Sequence, residues 1–599
     1  MISIGLVVAL GAAVRIWAAL QWRMNFDSDE AIFALMARHL LQGQFSPLLY
    51  GTGHLGSLES ILSAIPMSVF GQSVPVFRSS ALVLMATFMM VQAIYVARHW
   101  GGRAAFLTSL FVALPGFHIL EWSFQPIGAY GALLSCGLGV VLLSDRIPEH
   151  GRARIARLFL IGVLAGIGLW SNQMMVVFLA AALVPRFLGS SEWRHLSSMV
   201  NRLATRWVGR SFFRLAPLVP IAAGLLVVMS FFVSNCSPVW RFERIQWVAR
   251  GGLALAGLGS LGLLLWQSER PGRRVLEACV SVAGLMAGFS PLGISWLSGN
   301  VRPANIVHRS CPTDILQRAE LLVREILPAS WGVPVLQAWS SLSLLQIIGW
   351  VIVLALVLSA LVWFAWKHRH ELIDAIAMKP ISGSSDHVIV VTGVFALPLL
   401  LSLFANNTVD VYSVRHLLAA WWASAVIFGT YLDHVIQRRK WLGVVASVLW
   451  IGIVAAAMVW KVNGHWRVKF TEYTRSSVDA LVTELSHRDV TAGYADYWGS
   501  YTLDYLTMEA LKIVPYTGPD LYPSYARYAR AQGRIAFIFP KDRAPRSGTG
   551  TVGMLRLLEM PNDVSGEGPA HQAITELVAS ASVVDEFEVG PWEIWIVAR

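Results

Sequence analysis

Hydrophobic residues make up 55% of this 599-residue chain and charged residues only 14%, with a mean hydropathy of +0.57. A soluble protein carries about a quarter charged residues, so the composition excludes an ordinary soluble domain and indicates a polytopic α-helical membrane protein. The net charge of +11 is spread over many short loops, which argues against a nucleic-acid partner.

Apolar runs of about 17–25 residues can each cross a bilayer as a helix. About thirteen are readable, near 3–20, 79–97, 104–120, 128–144, 157–170, 172–188, 213–234, 252–267, 276–292, 341–366, 387–405, 412–432 and 441–460. With a cytoplasmic N-terminus, every inner loop is rich in Arg and Lys, for example Arg98 and Arg103, Arg152 to Arg157, and Arg438 to Lys440. That bias sets the orientation. It puts the loop after the first span and the tail after residue 460 on the outer, extracytoplasmic side. The division expected is a membrane domain over 1–460 and a water-soluble domain over 461–599.

The first outer loop carries the densest chemistry. It reads Asn25-Phe26-Asp27-Ser28-Asp29-Glu30, then an apolar-periodic run to Leu41, then Tyr50-Gly51-Thr52-Gly53-His54-Leu55-Gly56-Ser57-Leu58-Glu59. The period from Glu30 to Leu41 predicts a short helix lying on the membrane surface, with a second surface helix from Glu59 to Phe70. Helix-start chemistry accounts for some of the acids, since Asp27-x-x-Glu30 has the form of a capping box. It accounts less well for three clustered acids with a fourth at Glu59. Asp27, Asp29 and Glu30 are therefore candidate catalytic residues, and Tyr50, His54 and Glu59 candidate substrate contacts. Taken alone, Gly51, Gly53 and Gly56 favour an ordinary tight turn.

Further along, Glu121 in an apolar setting faces either a polar cavity or water. The long outer loop around 293–340 holds Arg302, a cation placed to meet a lipid phosphate, among mixed charges that also suit a solvated helix. Arg415 and His416 enter the outer end of a span, where they pair with an acid such as Asp410 or hold an anion. Cys236 and Cys311 both fall in outer loops, where an oxidising compartment permits a disulfide. The tail alternates strands near 490–494, 512–515, 535–539, 583–587 and 593–597 with helices near 476–486, 500–510, 522–531 and 570–579. That order predicts a small three-layer α/β domain acting as a lid or acceptor platform.

An Asp-Glu pair opening the loop helix, a Tyr-Gly turn ending in Leu58-Glu59 and Arg415 at the head of a late span together resemble the GT-C glycosyltransferases. Gly162 to Asn172 and Tyr494-Ala495-Asp496-Tyr497-Trp498 look like bacterial members of that superfamily, whose branches include protein O-mannosyltransferases and aminoarabinose transferases. The likeness covers the chain to about residue 190 and returns near 410–430 and in the tail. It implies a polyprenyl-phosphate sugar donor and a lipid, glycan or protein acceptor; the style of the sequence and the lack of any sorting signal set a bacterial inner membrane as the expected location. The resemblance places the catalytic acid on Asp29, with Glu30 beside it and Asp27 less clearly matched. His416 stands where many relatives carry Tyr. A divalent cation, Mg or Mn, between Asp27, Asp29 and Glu59 is a further expectation, since hard cations favour carboxylates. The alternative readings are a transporter or flippase of lipid-linked saccharides, for which charges buried within spans would be expected, and an O-antigen ligase or polymerase.

Overall fold

The computed structural model describes residues 2–21, 26–52, 55–145, 147–148, 150–189, 271–297, 312–333, 343–377, 379, 386–404, 410–464, 474–541 and 582–598. His54, Arg302, Cys236, Cys311, the spans at 213–234 and 252–267 and the helix at 570–579 lie outside the described residues.

The helices are α1 (Ile2–Gln21), α2 (Ser28–Leu41), α3 (Leu58–Phe70), α4 (Val74–Trp100), α5 (Gly102–Ala113), α6 (Phe117–Trp122), α7 (Tyr130–Asp145), α8 (Arg152–Ser171) and α9 (Met175–Gly189). They continue as α10 (Pro271–Leu297), α11 (Pro312–Leu321), α12 (Leu327–Ser330), α13 (Leu344–Lys367), α14 (Arg369–Ile376), α15 (Asp386–Phe404), α16 (Leu418–Arg438) and α17 (Lys440–Gly464). A 3₁₀ turn, Val411–Leu417, leads into α16.

Among the described residues seven helices are long and apolar enough to cross a membrane, and five shorter apolar helices accompany them. The expected count of thirteen is not confirmed by these, and two of the expected spans, 213–234 and 252–267, lie outside the described residues. The expected span at 104–120 is two helices, α5 and α6, because Pro115 cannot donate a backbone hydrogen bond and so breaks the ladder. Arg15, inside the first span and fully buried, donates to the carbonyls of Val112 (3.0 Å) and Ala113 (3.4 Å). The cation thereby satisfies acceptors left open where α5 ends. A charge buried within a span is thus present, and its partners are structural.

The tail builds α18 (Arg475–Ser486), β1 (Ala492–Ala495), α19 (Tyr497–Leu506), β2 (Lys512–Pro515), α20 (Pro523–Arg530), β3 (Arg534–Pro540), β4 (Ser582–Val589) and β5 (Trp592–Ala598). The sheet runs β2-β1-β3-β5-β4. β1 is parallel to β2 and β3, as βαβ connections require, and β5 is antiparallel to β3 and β4. One face packs Ile513, Ile538 and Ile594 against Val478, Leu481 and Leu485 of α18. The other face, with Tyr494, Phe537 and Trp595, shares one hydrophobic core with Phe26, Ile32 and Phe33 from the start of the chain. The layer on that side is therefore supplied in part by the N-terminal loop.

This corrects the placement expected for α2. Residues from Ala31 to His39 are buried all round the helix, so it does not present one polar face to water. Its polar residues are absorbed mainly by the tail: Arg38 donates to Tyr505 O (2.9 Å) and His39 meets Glu509 Oε1 (3.0 Å), while Arg38 also donates to Gln72 Oε1 (2.7 Å) ahead of α4.

Candidate active site

Asp27 is the N-cap of α2. Its backbone is extended, and its Oδ1 accepts from Glu30 N (3.0 Å), which satisfies one of the free donors at the helix start. Asp29 and Glu30 occupy the first turn, near the positive end of the helix dipole. Adjacent on the helix, they point about 100° apart, and their environments differ sharply.

Glu30 is fully buried and gripped by Arg78 of α4, with Nε donating to Oε1 and Nη2 to Oε2, both at 2.6 Å. Arg78 is also fully buried; it donates to Ala19 O (3.3 Å) and lies 5.3 Å from the Phe124 ring. Both carboxylate oxygens of Glu30 are thus committed to a bidentate pair tying α2 to α4. Asp27 and Asp29 instead remain partly exposed. Burial, then the charges of Asp29 and Glu30, push the Asp27 carboxyl up to about 8. Asp29 Oδ1 accepts from the Tyr497 hydroxyl at 2.6 Å, and among the described residues its Oδ2 has no hydrogen-bond partner. Burial and the neighbouring Asp29 charge hold Tyr497 well above the usual phenol range, so it stays a donor.

Glu59 opens α3 and is buried, with Oε2 accepting from Ala129 N (3.1 Å). Burial pushes its carboxyl up to about 8. The loop ahead of it is stitched to the end of α8: Leu55 bridges Asn172, and Gly56 N donates to Ser171 O (3.2 Å). A Cβ on Gly56 would fall 2.5 Å from Trp170 O, so a side chain there would part the loop from α8. Tyr50 stacks on Tyr522 of the tail (ring centroids 4.6 Å apart) and its hydroxyl meets His39 Nδ1 (3.0 Å). The structure therefore places Tyr50 in the contact between loop and tail.

Glu121 is buried on α6, beside Trp122. The Arg415 guanidinium lies 5.1 Å from the Trp122 ring, and Trp122 packs edge-on to Tyr130. Tyr130 stands within electrostatic reach of Arg415, Glu59 and Asp29, which places cation and carboxylates around one region. Among the described residues Arg415 has no ion pair, Asp410 being engaged as the cap of the 3₁₀ turn through Ser413 N (3.2 Å). Among the described residues the buried His416 Nε2 has no hydrogen-bond partner.

The expected metal set of Asp27, Asp29 and Glu59 does not converge. Among the described residues no group of three or more His, Cys, Asp or Glu side chains is placed to hold an ion. One oxygen of Asp27 is taken by its cap and one of Glu59 by Ala129 N.

Sequence reasoning passed over Arg78, Tyr130 and Glu509 and left Tyr497 without a role. Arg78 carried a signal, being an arginine at the end of an apolar run. Tyr497 lay in a stretch already singled out, but nothing local tells that it meets residue 29.

No family model and no curated protein matches the sequence. Among solved structures, the chain is similar to the oligosaccharyltransferase AglB from Archaeoglobus fulgidus in complex with an inhibitory peptide and a dolichol-phosphate. The identity is 13% over 89% of this chain and 69% of that one, with a TM-score of 0.46. It is also similar to ArnT from Cupriavidus metallidurans bound to undecaprenyl phosphate, at 13% identity over 99% of this chain and 97% of that one, with a TM-score of 0.36.

Proposed function

We propose that this chain is an inverting glycosyltransferase of the GT-C kind, moving a sugar from a polyprenyl-phosphate donor to a lipid, glycan or protein acceptor. The reading places the reaction at the outer face of a bacterial inner membrane, with a cytoplasmic N-terminus and the domain division near residue 460. The observation that carries it is the state of Asp29: one carboxylate oxygen is fixed by Tyr497, the other is open, and the residue is partly exposed.

In this mechanism Asp29 Oδ2 takes the proton of an acceptor hydroxyl or amine as that group attacks the anomeric carbon. The bond to the polyprenyl phosphate breaks on the opposite side, so one displacement inverts configuration. Arg415 stabilises the charge gathering on the departing phosphate. General-base help of this kind is worth on the order of 10² to 10⁴ in rate, or about 3–5 kcal/mol.

The test is transfer from a radiolabelled polyprenyl-phosphate sugar into a membrane extract by the purified protein. Asp29→Asn is expected to lose at least a hundredfold of that transfer. Full transfer by a folded Asp29→Asn protein would remove Asp29 as the base. Movement of the lipid-linked sugar across vesicles without transfer would replace the enzyme by a transporter.

A further inference from the structure

The tail does more than cover the loop. Asp496 caps α19 by accepting from Gly499 N (2.8 Å), and Tyr497 N donates to Thr517 Oγ1 (3.1 Å), so the residue is tied at its backbone. Its ring meets Trp498 and Tyr501 edge-on, at 5.3 and 6.3 Å. α19 is in turn fixed against the start of α2. Tyr501 N donates to Ser28 Oγ (3.1 Å), Thr502 Oγ1 donates to Phe26 O (3.1 Å), and the Tyr505 ring packs on Phe26 at 5.2 Å. The phenol therefore reaches Asp29 from a braced position in another part of the chain.

We propose that Tyr497 is the positioning residue of the reaction, holding Asp29 Oδ1 so that Oδ2 faces the acceptor, and that the tail is thereby an obligatory part of the active site. The inference rests on Asp29 acting as the base. Two geometric features favour it over simple docking. The bond is short and charge-assisted, and it goes to the one carboxylate of the first turn that neither caps the helix nor pairs with an arginine. Docking of α19 on α2 is already secured without it by the Ser28, Phe26 and Arg38 contacts. A carboxylate freed from such a donor rotates and loses the orientation that catalysis requires.

The experiment compares full-length Tyr497→Phe, Thr502→Val and Asp29→Glu proteins, and the Tyr497→Phe/Asp29→Glu pair, in steady-state transfer. Tyr497→Phe keeps the ring and removes only the hydroxyl. A hydrogen bond to a charged group supports an expected fall in kcat of about ten- to a hundredfold, with the donor KM within about threefold. Thr502→Val breaks a bond of the same interface that does not touch Asp29, and kcat is expected to stay within about threefold of the wild type. In the Asp29→Glu background, where the carboxylate is displaced from Tyr497, adding Tyr497→Phe is expected to change kcat by less than about threefold. Equal losses in Tyr497→Phe and Thr502→Val would reduce Tyr497 to docking. Losses that multiply in the double variant would also overturn the proposal. Full activity of Asp29→Asn would instead remove the reading of Asp29 on which it rests.

Discussion

The Glu30–Arg78 pair decides whether the second acid of the loop is structural. In Arg78→Met the Glu30 carboxylate is left fully buried beside Asp27 and Asp29, with no cation to balance it. Its penalty is bounded, because the group escapes burial by taking up a proton. At pH 7, protonating a carboxyl of ordinary pKa near 4.3 costs about 3.5 kcal/mol at 1.36 kcal/mol per unit, in line with the roughly 3–5 kcal/mol typical of a broken buried pair. The right reference is the double variant Glu30→Gln/Arg78→Met, in which neither charge is buried and the volume is nearly kept. Relative to it, Arg78→Met is expected to be less stable by about 3.5 kcal/mol at pH 7 and by only about 1 kcal/mol at pH 5. The assay is unfolding in detergent micelles followed by tryptophan fluorescence at both pH values. A deficit that is absent, or unchanged between pH 7 and pH 5, would refute the argument. The double variant is also expected to retain transfer, since neither Glu30 oxygen is open to an acceptor; its complete inactivity in a folded protein would return Glu30 to the catalytic candidates.

Asp27 is protonated more readily folded than unfolded, with its carboxyl pushed from 3.8 up to about 8, so its contribution favours the fold at low pH and is lost as pH rises through about 8. Asp27→Asn keeps a good N-cap and removes that loss, so thermal unfolding at pH 9 is expected to occur at a higher temperature than in the wild type; a lower one would count against the like-charge cluster. Glu509 behaves in the opposite sense: burial works to raise its carboxyl, but hydrogen bonds from His39 and Tyr525 and the His39 and Arg38 charges hold it down to about 2. Its contribution is present above about 4.5 and lost as pH falls toward 2, which predicts that acid loosens the tail from α2 and that Glu509→Gln removes this pH dependence, read by protease accessibility of the tail. Gly51 has φ +69° and a Cβ there would lie 2.7 Å from Leu521 Cα; Gly51→Ala is expected to weaken the same contact and reduce transfer at least tenfold through displacement of Tyr497, and an unchanged rate would separate tail docking from catalysis.

Local and global signals divided cleanly along this chain. The strand at 512–515 and those bracketing 535–539 and 593–597 were legible because buried strands are short β-branched and aromatic runs bounded by turns. The N-cap at Asp27 was legible for the same reason, since capping involves residues three apart. The character of α2 was not. Its apolar period suggests a helix with one wet side, and only the tail, more than 450 residues later, supplies Tyr505 O for Arg38 and Glu509 for His39. Sorting the acids failed locally for the same reason: Asp27, Asp29 and Glu30 differ little as a string, yet one caps, one is held by a phenol and one is neutralised by an arginine. Each distinguishing partner comes from a different element. The resemblance could single out Asp29 by position, but the physical ground for the choice is its partners. Of the three acids, Asp29 alone combines partial exposure with a carboxylate that neither caps the helix nor pairs with a cation.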